Sequence, residues 1–195
     1  MTDPLDPQDD GNTGLTPEER EGLVPSYITT RAELNEAEQA NILEGREWAF
    51  SRKRDILDEA LLKKLHIRMY GNVWAWAGRY RDSGKNIGVE AHRITTELKQ
   101  LLDDVRYWIE HDTYPADEIA ARFHHRLTHI HCYPNGNGRH ARMATDLLLT
   151  SLGERPFSWG SANLVDAGKT RQRYIAALRA ADKHDIGPLL EFVRA

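Results

Sequence analysis

Apolar residues recur at helical spacing along most of this chain. Between residues 115 and 130, Ile119, Phe123, Leu127 and Ile130 fall on one helical face. Leu98, Leu101, Leu102, Val105, Trp108 and Ile109 form a second stripe, in a helix that Thr95 or Thr96 is placed to cap. Leu57, Leu61, Leu65 and Met69 step by four through a third run, from about residue 56 to 70. Thr30 and Glu33 read as a capping box that opens a helix reaching about Phe50. Met143, Leu147 and Leu148 belong to a run from about Gly138 to Leu152, which Gly153 stops. Further on, Asp166 is placed to cap a helix with Tyr174, Ile175, Leu178 and Ala181 inward. Asp185 and Pro188 then begin a short last one. The exception to this period lies between Tyr80 and Glu90, where short β-type runs flank the turn residues Asp82-Ser83-Gly84. The pattern predicts an all-α bundle with one small β-hairpin flap. Trp74 and Trp76 are read as core.

With 195 residues, the chain suits one domain with a real core. Asp3, Asp6, Asp9 and Asp10 stand in an opening stretch without Lys or Arg. Residues 1–27 are therefore expected to be a mostly disordered acidic tail, with a short helix opened by Thr16-Pro17-Glu18-Glu19. Residues 28–195 are expected to be the folded domain. The net charge of -4 argues against direct nucleic-acid binding. No apolar run is long enough to span a membrane, and no signal-peptide order opens the chain. The single cysteine, Cys132, fits a reducing, cytoplasmic setting.

The chemistry is concentrated in His131-Cys-Tyr-Pro-Asn-Gly-Asn-Gly-Arg-His-Ala-Arg142. Pro134 breaks the preceding helix, and Gly136 and Gly138 bracket Asn137 ahead of the next one. A glycine loop that feeds a helix N-terminus offers free N–H groups and the positive end of the helix dipole to an anion. Arg139 and Arg142 are three apart, so both guanidiniums can serve that anion. His131 is placed to take a proton from an attacking hydroxyl. His125 and His129, four apart, are a weaker metal-type pair, without the glutamate of H-E-x-x-H.

The segment resembles the Fic motif, H-x-F-x-(D/E)-G-N-G-R-x-x-R. Tyr133 stands for the usual phenylalanine and Asn135 for the usual acid. The resemblance runs from roughly Thr30 to the C-terminus, and its overall course is most similar to the members called mobile mystery protein B. It implies a Fic-type helical bundle and transfer of AMP from ATP to a Ser, Thr or Tyr hydroxyl of a protein, itself included. His131 is then the general base. The amides of Gly136 to Gly138, with Asn137 and Arg139, cradle the α- and β-phosphates, and Arg142 reaches the γ-phosphate. Position 135 ordinarily holds Mg²⁺, which an asparagine serves poorly. A catalytically impaired nucleotide-binding module is therefore the alternative, and phosphate transfer a variant of the enzyme reading. Ala40-Asn-Ile-Leu-Glu44-Gly45 resembles the inhibitory motif (S/T)-x-x-x-E-(G/N), so the helix of about 30–50 is the inhibitory helix and Glu44 the residue that pairs with Arg142. The flap implies target contacts at Lys85, Asn86, Ile87 and Val89. The resemblance also implies a helix-turn-helix partner protein.

Overall fold

The computed structural model describes residues 14–161 and 167–195. The described residues form helices α1 (Pro17–Arg20), α2 (Arg31–Phe50), α3 (Glu59–Tyr70), α4 (Ile94–Glu110), α5 (Ala116–Ile130), α6 (Asn137–Ser151), α7 (Ala167–Ala181) and α8 (Gly187–Arg194). The predicted tail up to residue 13 and the predicted cap Asp166 lie outside the described residues.

Local chemistry sets the helix ends. Thr30 and Glu33 form the expected box, with the Thr30 hydroxyl accepting from the Glu33 amide and the Glu33 carboxylate from the Thr30 amide. Helix α3 begins later than its apolar spacing suggests. The Asp58 side chain accepts from the Ala60 amide at 2.9 Å, so the helix begins at Glu59. Helix α4 begins at Ile94, after a 3-10 turn over Ala91–Arg93, which leaves Thr95 and Thr96 inside it. His131 ends α5 in the left-handed conformation, at φ 56°.

Helix α5 packs between α4 and α6, and α2 packs on α3. One face of α5 sends Ile119, Phe123, Leu127 and Ile130 into the larger core, with Leu98, Leu101 and Val105 of α4 and Leu62, Leu65 and Met69 of α3. Its other face sends Ala120 and Ala121 into a smaller core with Tyr174 and Ala177 of α7 and Leu189, Phe192 and Val193 of α8. Trp74 and Trp76 are buried and stack with ring centroids 5.0 Å apart, as expected of core residues.

The flap differs from expectation. Residues 79–90 contain no strand. Arg81 explains this, because its guanidinium takes the carbonyls a hairpin would have paired. It donates to Ser83 O at 2.9 Å and to Val89 O, and its Nε donates to His131 O at 2.6 Å. A side chain, in place of a ladder, closes the loop. The isolated β-bridge found among the described residues lies elsewhere, between Leu23 and Trp74. Residues 14–24, assigned by composition to the tail, thus pack against the domain. No helix of the described residues is long and apolar enough to cross a membrane.

Candidate active site

The loop between α5 and α6 is shaped from inside. Asn137 is buried, and its side chain closes on Tyr133 in both directions. Its Oδ1 accepts from the Tyr133 amide at 2.9 Å and its Nδ2 donates to the Tyr133 carbonyl at 2.7 Å. Its side chain therefore braces the loop, with its main-chain amide left at the head of the next helix. Gly136 sits at φ 80° over Tyr70, whose hydroxyl donates to Gly136 O at 3.4 Å.

His66 supports the same turn from α3. Its Nδ1 accepts from the Gly78 amide at 3.0 Å, so its other nitrogen carries the proton and donates to Asn135 O at 3.1 Å. The ring stacks on Tyr133, centroids 3.7 Å apart. His66 and Tyr70 are site residues that sequence reading missed. No motif marks them, and a buried polar pair on a core helix is the only signal they leave.

Helix α6 opens at Asn137, with Gly136 as its cap and no side-chain cap bond. Its first internal bond runs from the His140 amide to Gly136 O, at 2.9 Å. The amides of Asn137, Gly138 and Arg139 come before that bond, so no carbonyl of their own helix is available to them. They and His131 line one cleft of about 720 Å³, together with Arg139, Arg142 and, from the loop of residues 82–89, Ile87 and Gly88. Arg142 lies over the Tyr174 ring at 4.5 Å, and its buried Nε has no hydrogen-bond partner. A guanidinium so placed suits an anion that enters the cleft.

Two side chains bond elsewhere than expected. Glu44 does not meet Arg142. It is exposed and accepts from the Asn72 side chain at 3.0 Å. The α2 carboxylate that reaches the motif is Glu38, which is only 2% exposed. Its Oε2 lies 2.7 Å from Arg139, and its Oε1 accepts from the Trp74 indole at 2.8 Å. Lys85, expected to contact a target, has its ammonium bound to Glu19 and to Gly14 O. Val89 gives its carbonyl to Arg81, while Asn86 and Ile87 are exposed.

Asn135 does not fit a protein-held Mg²⁺. Its side chain is neutral and its Oδ1 accepts from the Gly136 amide at 2.5 Å. Among the described residues no group of three or more His, Cys, Asp or Glu is set to hold a metal. His125 and His129 both turn to Asp182, at 2.8 and 3.6 Å.

Burial holds the imidazoles neutral. His131 is pulled down to about 4, first by burial and then by the positive charges of Arg81 and Lys85, against a bond to the Thr128 carbonyl that favours its charged form. A ring nitrogen that donates to that carbonyl leaves the other as an acceptor at neutral pH. His124 is lowered to about 3 and His140 to about 4, both mainly by burial, and His66 lies well below its ordinary value for the same reason.

These shifts predict a pH dependence of stability. Between pH 6.5 and about 4 the unfolded chain binds protons at these four positions that the folded chain refuses. Stability should therefore be greatest above pH 6.5 and fall as pH drops through that window. The loss is at most about 1.4 kcal/mol per histidine per pH unit. Urea midpoints that stay level from pH 7.5 to 5 would contradict this.

The chain is similar to known proteins. Residues 56–149 match the Fic/DOC family. Over 151 residues the chain is 28% identical to protein adenylyltransferase fic-1 of Caenorhabditis elegans, covering 73% of this chain and 28% of that protein. It thus spans just over a quarter of that relative's length. Its fold is similar to that of the BepC protein of Bartonella tribocorum, solved with bound AMPPNP, at a TM-score of 0.70 and 18% identity over 92% of this chain and 97% of that one. An N-terminal Fic domain from Bartonella quintana, solved with bound ADP, superposes at a TM-score of 0.68 with 20% identity, over 87% and 86% of the two chains. The stretch that runs from just before α3 to the last turns of α6, with His131 and the glycine loop between them, is thus a match to the Fic/DOC family domain.

Proposed function

We propose that the chain transfers AMP from ATP to a hydroxyl of a protein, itself among the candidate substrates. One observation carries this reading. A buried, neutral imidazole and the unpaired amides at the head of α6 line the same cleft. The likeness to proteins named as adenylyltransferases supports it, as does the capture of AMPPNP and ADP by chains of the same fold.

In this reading the amides of Asn137, Gly138 and Arg139 hold the phosphate oxygens, and Arg142 balances the outermost charge. The imidazole of His131 takes the proton of the substrate hydroxyl. The hydroxyl oxygen forms a bond to the α-phosphorus, the bond from that phosphorus to its bridging oxygen breaks, and pyrophosphate leaves with the electron pair. The protein's share is placement and charge balance. No step is assigned to a metal, since Asn135 and its neighbours do not form a seat for one.

Helix α2 acts as the brake through Glu38. The carboxylate neutralises Arg139, a residue that lines the cleft. Glu38→Gln keeps the acceptor for Trp74 and removes the charge. It should raise AMP transfer about 10- to 100-fold, the scale of releasing one partly buried ion pair. Wild type and variant are incubated with ATP labelled on the α-phosphate, and label retained on protein is counted. Equal or lower labelling by the variant overturns the brake.

Asn135 favours a second reading, an ATP-binding module without transfer. Binding of ATP with no label on protein from either form would select it.

A further inference from the structure

We infer that Glu19 and Lys85 are positioning residues for the reaction: their ion pair ties the N-terminal segment to the loop that covers His131, and so sets how far the base is exposed. The starting observation is a buried charge pair away from the phosphate bed. The side chains of Lys85 and Glu19 are 4% and 11% exposed. The pair is densely bonded. Glu19 Oε1 accepts from the Ser83 hydroxyl at 2.8 Å and Oε2 from the Thr16 amide at 2.8 Å, while Lys85 donates to Gly14 O at 2.9 Å.

The segment that presents Glu19 is itself fixed to the domain. The Trp76 indole donates to Glu19 O at 2.8 Å, the Ala75 amide to Gly22 O at 2.8 Å, and the Val24 amide donates to Val73 O at 2.9 Å. Gly22 lies so close to Trp76 that a Cβ there would stand 2.5 Å from its ring. Glu19 is thus held by the core and in turn holds Ser83 and Lys85.

The far end of the same loop lies on the base. Gly88, at φ 105°, sits where a Cβ would come within 2.6 Å of the His131 Cβ. His131 is correspondingly buried, at 7% exposure. Arg81 connects the two ends, since its guanidinium bonds Ser83 O, Val89 O and His131 O. A displacement of Ser83 and Lys85 is therefore felt at Gly88 and at the imidazole. Among the described residues, no main-chain hydrogen bond joins residues 82–89 to the amides at the head of α6. The latch governs access of the hydroxyl substrate to His131 and leaves the phosphate bed unchanged.

The role in transfer rests on the proposed function, and the test is chosen so that the two can fail separately. Glu19→Gln keeps the acceptor and loses the charge, Lys85→Met removes the ammonium, and Lys85→Arg restores a cation. In the full chain, hydrogen exchange of residues 82–90 and the rate of His131 acylation by diethyl pyrocarbonate, read by mass spectrometry, are compared with wild type. Both should rise about 10- to 100-fold in the first two variants, the range for losing one charge-assisted bond. They should return towards wild type in Lys85→Arg. AMPPNP affinity should change less than about twofold, because an interaction outside the phosphate bed contributes little to it. Unchanged exchange and acylation in folded Glu19→Gln and Lys85→Met overturn the latch. So does a uniform rise across all helices, which would mark simple destabilisation. Failure of wild type to bind AMPPNP would overturn the proposed function and leave the exchange and acylation results to decide the latch.

Discussion

His131→Asn should lower AMP transfer about 10²- to 10⁴-fold, the usual contribution of a positioned general base. Asparagine is the informative substitute. Residue 131 has φ 56°, a left-handed conformation that asparagine accepts and alanine or a branched side chain resists. The main-chain bonds that end α5 and receive Arg81 use the residue's N–H and C=O, which the change retains. Nucleotide affinity and urea midpoint should stay near wild type while labelling from α-phosphate-labelled ATP collapses. A loss in binding of the same size as the loss in rate would show that residue 131 serves the ligand and does not take the proton. The pH profile adds a second check. Because burial and two neighbouring cations hold this imidazole neutral down to about pH 4, transfer should not fall through pH 6.5 on account of His131. Its acid limb belongs near pH 4, where the proton-accepting form is lost.

Gly136→Ala should be nearly as damaging, by a different route. An alanine there must adopt φ 80°, and its Cβ would stand 2.5 Å from the Tyr70 ring. The left-handed strain and the overpacking together cost about 2–5 kcal/mol. Tyr70 is fully buried in the core and has no room to retreat, so the loop must move. The urea midpoint should fall steeply, and AMPPNP binding should disappear with it. Gly138→Ala is the control. Nothing lies within 4 Å of the place its methyl group would take, and it sits in the first turn of α6, where alanine favours the helix by up to about 1 kcal/mol. That variant should keep its stability and lose nucleotide affinity, since the methyl group intrudes where phosphates approach the main chain. Equal midpoints for the two variants would remove the distinction between a glycine needed for folding and one needed for the ligand.

The helices and the motif are legible in the sequence because both are local. Apolar spacing and capping residues together locate the helices from α2 onward to within a few residues, and the chemistry at residues 131–142 is contiguous in the chain. What the sequence conceals depends on how one element docks on another. Motif resemblance points to Glu44, yet the buried face of α2 is Leu34, Glu38, Asn41, Gly45 and Ala49. That face is fixed by Gly45, which lies against the Arg68 carbonyl, and by Asn41, which bonds it at 3.0 Å. Glu44 falls outside the stripe, and Glu38 lies within it, one turn from Leu34. The flap misleads for a related reason. Turn residues between short β-type runs favour a hairpin, but one guanidinium close by collects the carbonyls instead. A lysine on a loop is commonly exposed, and family resemblance puts Lys85 on a target-facing flap. Its burial depends on Glu19, sixty-six residues earlier in the chain.

The clasp between Asn137 and the Tyr133 main chain has one more effect. It ties a five-residue circuit shut with bonds that owe nothing to a ligand. The disorder such a turn would otherwise surrender on meeting its guest is already surrendered when the chain folds. A triphosphate entering the cleft meets a mould that has set, so selection among anions falls to shape and spacing of oxygens more than to any tightening of the protein around them.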